Sequence, residues 1–250
     1  MQHFELFGIR LAATTYEELT TLVFDRIKYS KSLQGGIAAV AVHGIMEGYN
    51  DPQLRTQLNS LDWVVPDGQP VRWALNYFHQ AGLQQRVYGP TLTLHLLEKA
   101  AQENIPVFFY GSKSKTLALL KQNCLAKFPS LQIVGMQEDR FRESTEEEKK
   151  IDRQTIIKSG AKIVFVGRGC PRQERWVAEN IEYIPAILVA VGAAFDFHAG
   201  TVKQAPPFLQ DRGLEWLFRL VQEPGRLWKR YLVTNTKFIF LVLRQLVKGS

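Results

Sequence analysis

Ile163-Val-Phe-Val166 runs directly into Gly167-Arg-Gly-Cys-Pro-Arg-Gln-Glu174. Four apolar residues, three of them β-branched, are too few for a helix and fit a buried strand. Two glycines then break the strand, and a charged helical stretch follows over 171–180. Strand, glycine turn and helix form the repeating unit of a parallel α/β sheet. The unit recurs where Val107-Phe-Phe-Tyr110 meets Gly111-Ser-Lys-Ser114 and where Ile187-Leu-Val-Ala-Val191 meets Gly192-Ala-Ala-Phe-Asp196.

Working outward, apolar runs predict strands over 4–9, 37–42, 63–66, 107–110, 132–136, 162–166 and 187–191. Amphipathic stretches predict helices over 15–29, 70–76, 91–102, 114–127, 145–159, 171–180 and 208–221. The alternation implies a Rossmann-like α/β layered fold with a mainly parallel sheet, whose ligands sit at the carboxyl ends of the strands. Glycines there let the backbone approach a ligand, and the free N–H groups of the next helix favour an anion. The other reading is that they only close turns. No complete dinucleotide fingerprint and no P-loop occurs.

Charge divides the chain. Residues 201–250 hold nine Lys and Arg against three Asp and Glu, nearly the whole net charge of +7. The predicted division is an α/β catalytic core over 1–204 and a basic, amphipathic helical appendage over 205–250. Ala205-Pro-Pro207 closes the segment before the tail, and Pro224 splits the tail into two helices. Arg226 and Arg230 share a face, and Phe238-Ile-Phe-Leu-Val-Leu243 lies between Lys237 and Arg244. That run is too short to span a bilayer, so it either lies in the interface or packs on the core. A basic, aromatic tail on a neutral body suggests a large anionic partner. No signal peptide is read, and Cys124 and Cys170 fit a reducing compartment. A cytoplasmic location is expected.

Few residues could do chemistry. Asp67 follows the 63–66 strand, where apolar surroundings can raise its pKa and make it a general base; the other reading, the usual one for an isolated Asp-Gly, is a cap of the next helix. Asp196 is either a similar carboxylate or a pin for its loop. His43, after the 37–42 strand, either touches substrate or is a satisfied buried histidine; His95 and His198 are read alike. Ser144 or Thr145 caps a solvated helix start over 143–150. No metal-ligand spacing and no nucleophile elbow is found.

Taken together the segments resemble the WecG/TagA/CpsF family of bacterial glycosyltransferases, family 26. The matching stretches are Val65-Pro-Asp-Gly-Gln-Pro-Val71, Arg86-Val-Tyr-Gly89, Phe109-Tyr-Gly-Ser-Lys113 and Val166-Gly-Arg-Gly-Cys-Pro-Arg-Gln-Glu-Arg-Trp176. The longest are Val191-Gly-Ala-Ala-Phe-Asp-Phe-His-Ala-Gly200 with Lys203-Gln-Ala-Pro206, and Gly213-Leu-Glu-Trp-Leu-Phe-Arg-Leu220 through Glu223-Pro-Gly-Arg-Leu-Trp-Lys-Arg-Tyr231. They run in family order from about residue 5 to the end of the chain.

The resemblance implies an inverting, metal-independent transferase with no cofactor. It would move a sugar from a UDP-sugar to a sugar on a polyprenyl diphosphate, at the cytoplasmic face of the membrane, in cell-surface polysaccharide synthesis. It implies peripheral membrane contact, admits a homo-oligomer and gives no role to nucleic acid. Asp67 falls on the position of the catalytic base. His43, Gly68, Arg86, Gly111, Ser112, Gly167, Gly169, Pro171, Arg172, Gln173, Glu174 and Asp196 fall on substrate-pocket motifs. Arg219, Arg226 and Arg230 fall on the diphosphate-binding appendage.

Three departures bear on sugar recognition. A family asparagine is His43, the usual Gly-Ser/Thr-Asp-Leu is Gly89-Pro-Thr-Leu92, and the usual Gly-Tyr-Phe is Asp139-Arg-Phe141. No particular donor sugar is therefore carried over. Two other classes compete: a non-catalytic basic module for nucleic acid, nucleotide or anionic lipid, which leaves the glycine-rich strand ends and Asp67 without a role, and a nicotinamide-dependent oxidoreductase, which lacks its fingerprint.

Overall fold

The structure is a computed structural model that describes residues 1–248; Gly249 and Ser250, the end of the predicted appendage, lie outside the described residues. The chain opens with a hairpin of β1 (Gln2–Leu6) and β2 (Ile9–Ala13), paired antiparallel. The single strand predicted over 4–9 is thus two. Phe7 and Gly8 both take positive φ, 52° and 86°, which reverses the chain in two residues. No Asn-Gly or Asp-Gly pair marks that turn in the sequence, so it was read as continuous strand.

The remaining strands are β3 (Gly35–Val40), β4 (Trp63–Pro66), β5 (Val107–Gly111), β6 (Ile133–Gln137), β7 (Ile163–Gly167) and β8 (Ile187–Ala190). They form one parallel sheet in the order β4-β3-β8-β7-β5-β6. Strand side chains alternate between two cores, one on each face of the sheet. Val107, Phe109, Ile163, Phe165, Ile187 and Val189 enter the first. Phe108, Tyr110, Val164, Val166, Leu188 and Ala190 enter the second. Burial on both faces is why these strands read as unbroken apolar runs.

Helices cover each face. The first core is closed by α1 (Tyr16–Tyr29), α5 (Gly89–Gln102), α6 (Ser114–Lys127) and α9 (Ala194–His198). The second is closed by α2 (Val42–Asn50), α3 (Pro52–Asn59), α4 (Gln69–His79), α7 (Glu146–Ser159), α8 (Arg172–Asn180) and the hairpin. The helices α2, α3 and α9 were not expected. The predicted 37–42 strand ends at Val40, and α2 begins two residues later. Asp51 caps α3, accepting from the Gln53 and Leu54 amides at 2.9 and 3.1 Å, and Pro52 fills its first turn. That Asp-Pro start signal was present in the sequence and was missed. Thr145 and Glu148 form the capping box of α7, so the charged 143–150 stretch is a helix start as expected.

The chain ends in α10 (Pro207–Asp211), α11 (Glu215–Gln222) and α12 (Pro224–Lys248). The single helix predicted over 208–221 is broken at Gly213, whose φ is +70°. The break at Pro224 falls where the sequence puts it, and α12 is one helix of 25 residues. It lays Phe238 and Leu241 into the second core, with Phe238 edge-on to Phe7 at 5.7 Å, and Leu227 is buried as well. Among the described residues, no helix is long and apolar enough to cross a membrane.

This topology positions the site. β8 leads into α9 on one face, while its neighbours β3 and β7 lead into α2 and α8 on the other. Chain leaving adjacent strands toward opposite faces opens a crevice at their carboxyl ends.

Candidate active site

A cavity of about 1190 Å³ fills that crevice, with strand ends and helix starts for its floor and α11 and α12 for a wall. The first residues of α2, α4, α6, α8 and α9 or of the turns before them border it, so several helix N-termini meet at one space. This arrangement favours an anion without any basic side chain.

Asp67 stands at the end of β4. Its backbone N–H donates to Val40 at 3.0 Å, tying the turn to β3. Its Oδ1 accepts from the Gly89 amide at 2.5 Å, at the start of α5. The carboxylate therefore does not cap the helix that follows it; Gly68 holds that position with no side-chain bond. Among the described residues Oδ2 takes no hydrogen bond, and Asp67 borders the cavity. Burial pushes its pKa up to about 6, with Glu215 pushing the same way, while Arg86, the Gly89 amide and Arg219 pull it down.

Arg86 and Tyr88 lie on the connection into α5. The Arg86 guanidinium stacks on the Tyr88 ring at 4.1 Å and pairs with Glu215 at 2.7 Å. It also donates to Gln210 at 3.1 Å. The Tyr88 hydroxyl donates to the other Glu215 oxygen at 2.8 Å. Burial, reinforced by Glu215 and Asp67, holds the Tyr88 phenol well above its ordinary range, so it stays a donor.

The loop after β7 makes the opposite wall. Gly167, Gly169, Gln173 and Glu174 all border the cavity. Gln173 accepts from the Gly169 amide at 3.1 Å and donates to Glu174 at 2.9 Å. Glu174 is buried, one of its oxygens has no partner, and burial raises its pKa. Ser112 reaches the cavity at a φ of +57°, and its amide donates to Gly167 at 3.0 Å. Gly111, Pro171 and Arg172 do not border it. Gly111 is a packing requirement, because a Cβ there would sit 2.5 Å from the Gly167 carbonyl oxygen. Pro171 follows a cis peptide and caps α8. Arg172 turns aside to Asp139 at 2.9 Å, where Arg168 joins it at 3.1 Å.

Asp196 opens α9 and faces the cavity. Its backbone carbonyl, not its carboxylate, pins the following loop through the Thr201 and Val202 amides. Among the described residues the carboxylate takes only the Thr201 hydroxyl, at 3.4 Å, and burial raises its pKa. Opposite stand Arg219, Arg226 and Arg230. Arg219 lies over the Phe197 ring at 5.5 Å, and Glu223 pairs with both Arg219 and Arg226. Arg230 forms no ion pair among the described residues.

His43 also borders the cavity, in the first turn of α2 and not at a strand end. Burial and the nearby Arg230 lower its pKa to about 4. Its Nδ1 lies 3.6 Å from Glu47, too long for a hydrogen bond, and a neutral ring forms no ion pair there. His95 stacks on Tyr16, and His198 bonds the Pro90 carbonyl; neither borders the cavity. Burial raises the pKa of both cysteines, Cys124 to about 11, which keeps them thiols. Among the described residues no three His, Cys, Asp or Glu side chains stand together as a metal site.

Tyr88, Glu215, Lys113 and Phe141 share the cavity and were not read as site residues. Glu215 left two signals, as an acid inside a basic tail and as part of the matching stretch from Gly213 to Leu220. The sequence model described as "Glycosyl transferase WecG/TagA/CpsF family" matches residues 4–250. The chain is similar to the N-acetylglucosaminyldiphosphoundecaprenol N-acetyl-beta-D-mannosaminyltransferase of Bacillus spizizenii, 33% identical over 199 residues. That alignment covers 79% of this chain and 74% of the relative.

Proposed function

The chain belongs to the WecG/TagA/CpsF family of glycosyl transferases, and on that premise we propose that it moves a sugar from a UDP-sugar to a sugar carried on a polyprenyl diphosphate. The observation that carries the mechanism is Asp67. It is a carboxylate with one oxygen fixed by the Gly89 amide, the other free of protein donors, and a pKa near 6. Such a group is ionised at neutral pH yet basic enough to take a proton from the acceptor hydroxyl. As the proton leaves, the hydroxyl oxygen attacks the anomeric carbon and the sugar–phosphate bond breaks. A single displacement of this kind inverts the anomeric centre.

Negative charge grows on the departing nucleoside diphosphate. The groups fit to receive it are the helix starts around the cavity and the arginines of the tail. Arginine forks bind phosphate oxygens bidentately, and fixed N–H groups need no reorganisation during the step. We assign this role to Arg219, Arg226 and Arg230, with no metal required. The predicted pocket residues that border the cavity, His43, Gly68, Arg86, Ser112, Gly167, Gly169, Gln173, Glu174 and Asp196, orient donor and acceptor sugars.

The lipid acceptor suits the wall that α12 provides. Trp228, Leu232 and Ile239 line the cavity beside Arg230. Phe240, Leu243 and Val247 are exposed on the outer side of the same helix. Basic residues flank that apolar strip, as on helices that rest in a membrane interface. The protein would thus work as a peripheral protein at the face bearing the acceptor. A purely binding module would have no use for a buried carboxylate of raised pKa.

The test is UDP release from a panel of UDP-sugars, in chelator, with a short-chain polyprenyl-diphosphate sugar as acceptor. Acceptor-dependent release from one donor, with an inverted product linkage, is expected. Turnover that disappears in chelator and returns with a divalent cation would overturn the metal-free assignment. A folded sample silent with every donor would overturn the transfer reaction.

A further inference from the structure

Glu215 is the one acidic side chain that the tail places beside Asp67. It is 13% exposed, and each of its oxygens takes one hydrogen bond from the body of the protein, from Arg86 and from Tyr88. Both of these donors also act on Asp67 electrostatically, and neither is hydrogen-bonded to it. We propose that Glu215 is a positioning residue that holds Arg86 and Tyr88 away from the Asp67 carboxylate, so that the base is free for the acceptor hydroxyl. This rests on Asp67 being the base.

Three observations support the assignment. First, the Arg86 guanidinium is only 10% exposed, and its charge must be matched inside the cavity. Two carboxylates are within its field, Glu215 and Asp67. Glu215 takes the direct contact, which leaves Asp67 with one amide bond and an open oxygen. Second, stacking on the Tyr88 ring and the bond to Gln210 fix the guanidinium toward the tail. Third, α11 carries both Glu215 and Arg219, so one rigid element brings the residue that frees the base and an arginine of the diphosphate site. Removing the Glu215 charge leaves Asp67 as the remaining nearby carboxylate for Arg86. A carboxylate paired to a guanidinium loses basicity and has its lone pairs occupied.

The groups that face Asp67 come from four elements. Arg86 and Tyr88 precede α5, Tyr16 is on α1, Glu174 is on α8, and Glu215 and Arg219 are on α11. Of these Glu215 alone both raises the Asp67 pKa and grips a group that lowers it. Its removal therefore moves the Asp67 titration to lower pH.

The experiment compares wild type, Glu215→Gln, Asp67→Asn and the double variant Glu215→Gln/Arg86→Gln. Turnover is followed from pH 4.5 to 9 (roughly the range that brackets an acid limb near 6). The Asp67 carboxyl is titrated separately by 13C NMR, which needs no activity. Glu215→Gln is expected to shift the acid limb and the NMR titration to lower pH and to cut turnover at neutral pH by about tenfold or more. Adding Arg86→Gln should return the NMR titration upward, whatever its effect on rate. An unmoved or upward-shifted titration in Glu215→Gln would overturn the proposal, even if activity falls. So would a double variant that titrates like Glu215→Gln. If Asp67→Asn keeps wild-type turnover, it is the base assignment that fails, and the NMR titrations still report the Glu215–Arg86 coupling by themselves.

Discussion

Asp67 makes two opposite demands on one residue. In the proposed role of base its proton must be off, so kcat/KM of the free enzyme should climb as pH rises through about 6 and level above it. For stability the sign is reversed. The folded value lies above the 3.8 of an ordinary aspartate, so between those limits the native state holds the proton more tightly than the unfolded chain. Its contribution is present below about 4 and lost as pH rises through about 6. Asp67→Asn should therefore melt a few degrees (~2–4 °C per kcal/mol recovered) above wild type at pH 7.5, the gap closing near pH 4. The same variant should lose about 100-fold or more in turnover while still binding UDP. Equal melting of the two proteins at pH 7.5 would show that the carboxylate carries no burial cost.

The loop that joins β5 to α6 is held by the contact between two strand ends. Gly111 pairs with Gly167 across the sheet and takes a φ of +125°. Gly111→Ala adds a Cβ at 2.5 Å from the Gly167 carbonyl oxygen, which the rigid ladder cannot relieve. We expect a loss of about 2–4 kcal/mol in urea unfolding, together with weaker donor binding, because Ser112 and Gly167 move with it. Thr145→Ala makes the contrast. It removes the capping box of α7, outside the cavity, and should cost about 1 kcal/mol with turnover unchanged. A matched effect of both variants on activity would mean that the loop has no special role.

The tail is at once a wall of the cavity and the apolar, basic edge of the whole molecule. Phe240 and Leu243 point away from the core, near Arg244 and Lys237. Phe240→Glu with Leu243→Glu should abolish flotation with anionic vesicles and leave turnover on a water-soluble, short-chain acceptor near wild type. Added salt should weaken wild-type vesicle binding, since part of the attraction is ionic. Undiminished flotation of the double variant would place the membrane contact elsewhere. At this scale the predicted division at residue 205 has a physical complication. Phe238 and Leu241 are buried in the second core, so removing the tail exposes core as well as deleting arginines.

Much of this architecture follows from local pattern. Apolar runs of four to six residues, three of them ended directly by glycine and most followed by an amphipathic stretch, are sufficient to specify parallel strands and their crossover helices, since burial on both faces demands such runs. Family motifs single out Asp67, Gln173, Glu174 and the tail arginines, and all of them border one cavity. What sequence could not supply was distance between residues far apart in the chain. The turn at Phe7 carried no turn signature; Gly111 and Arg172 lie in motifs beside the site yet outside the cavity. Above all, Glu215 stands 129 positions from Arg86, and only the packing of α11 against the body brings them to 2.7 Å. Patterns of three to seven residues report which face of an element is buried. Which charges meet inside a cavity is decided by the packing of whole elements, and so by the tertiary structure alone.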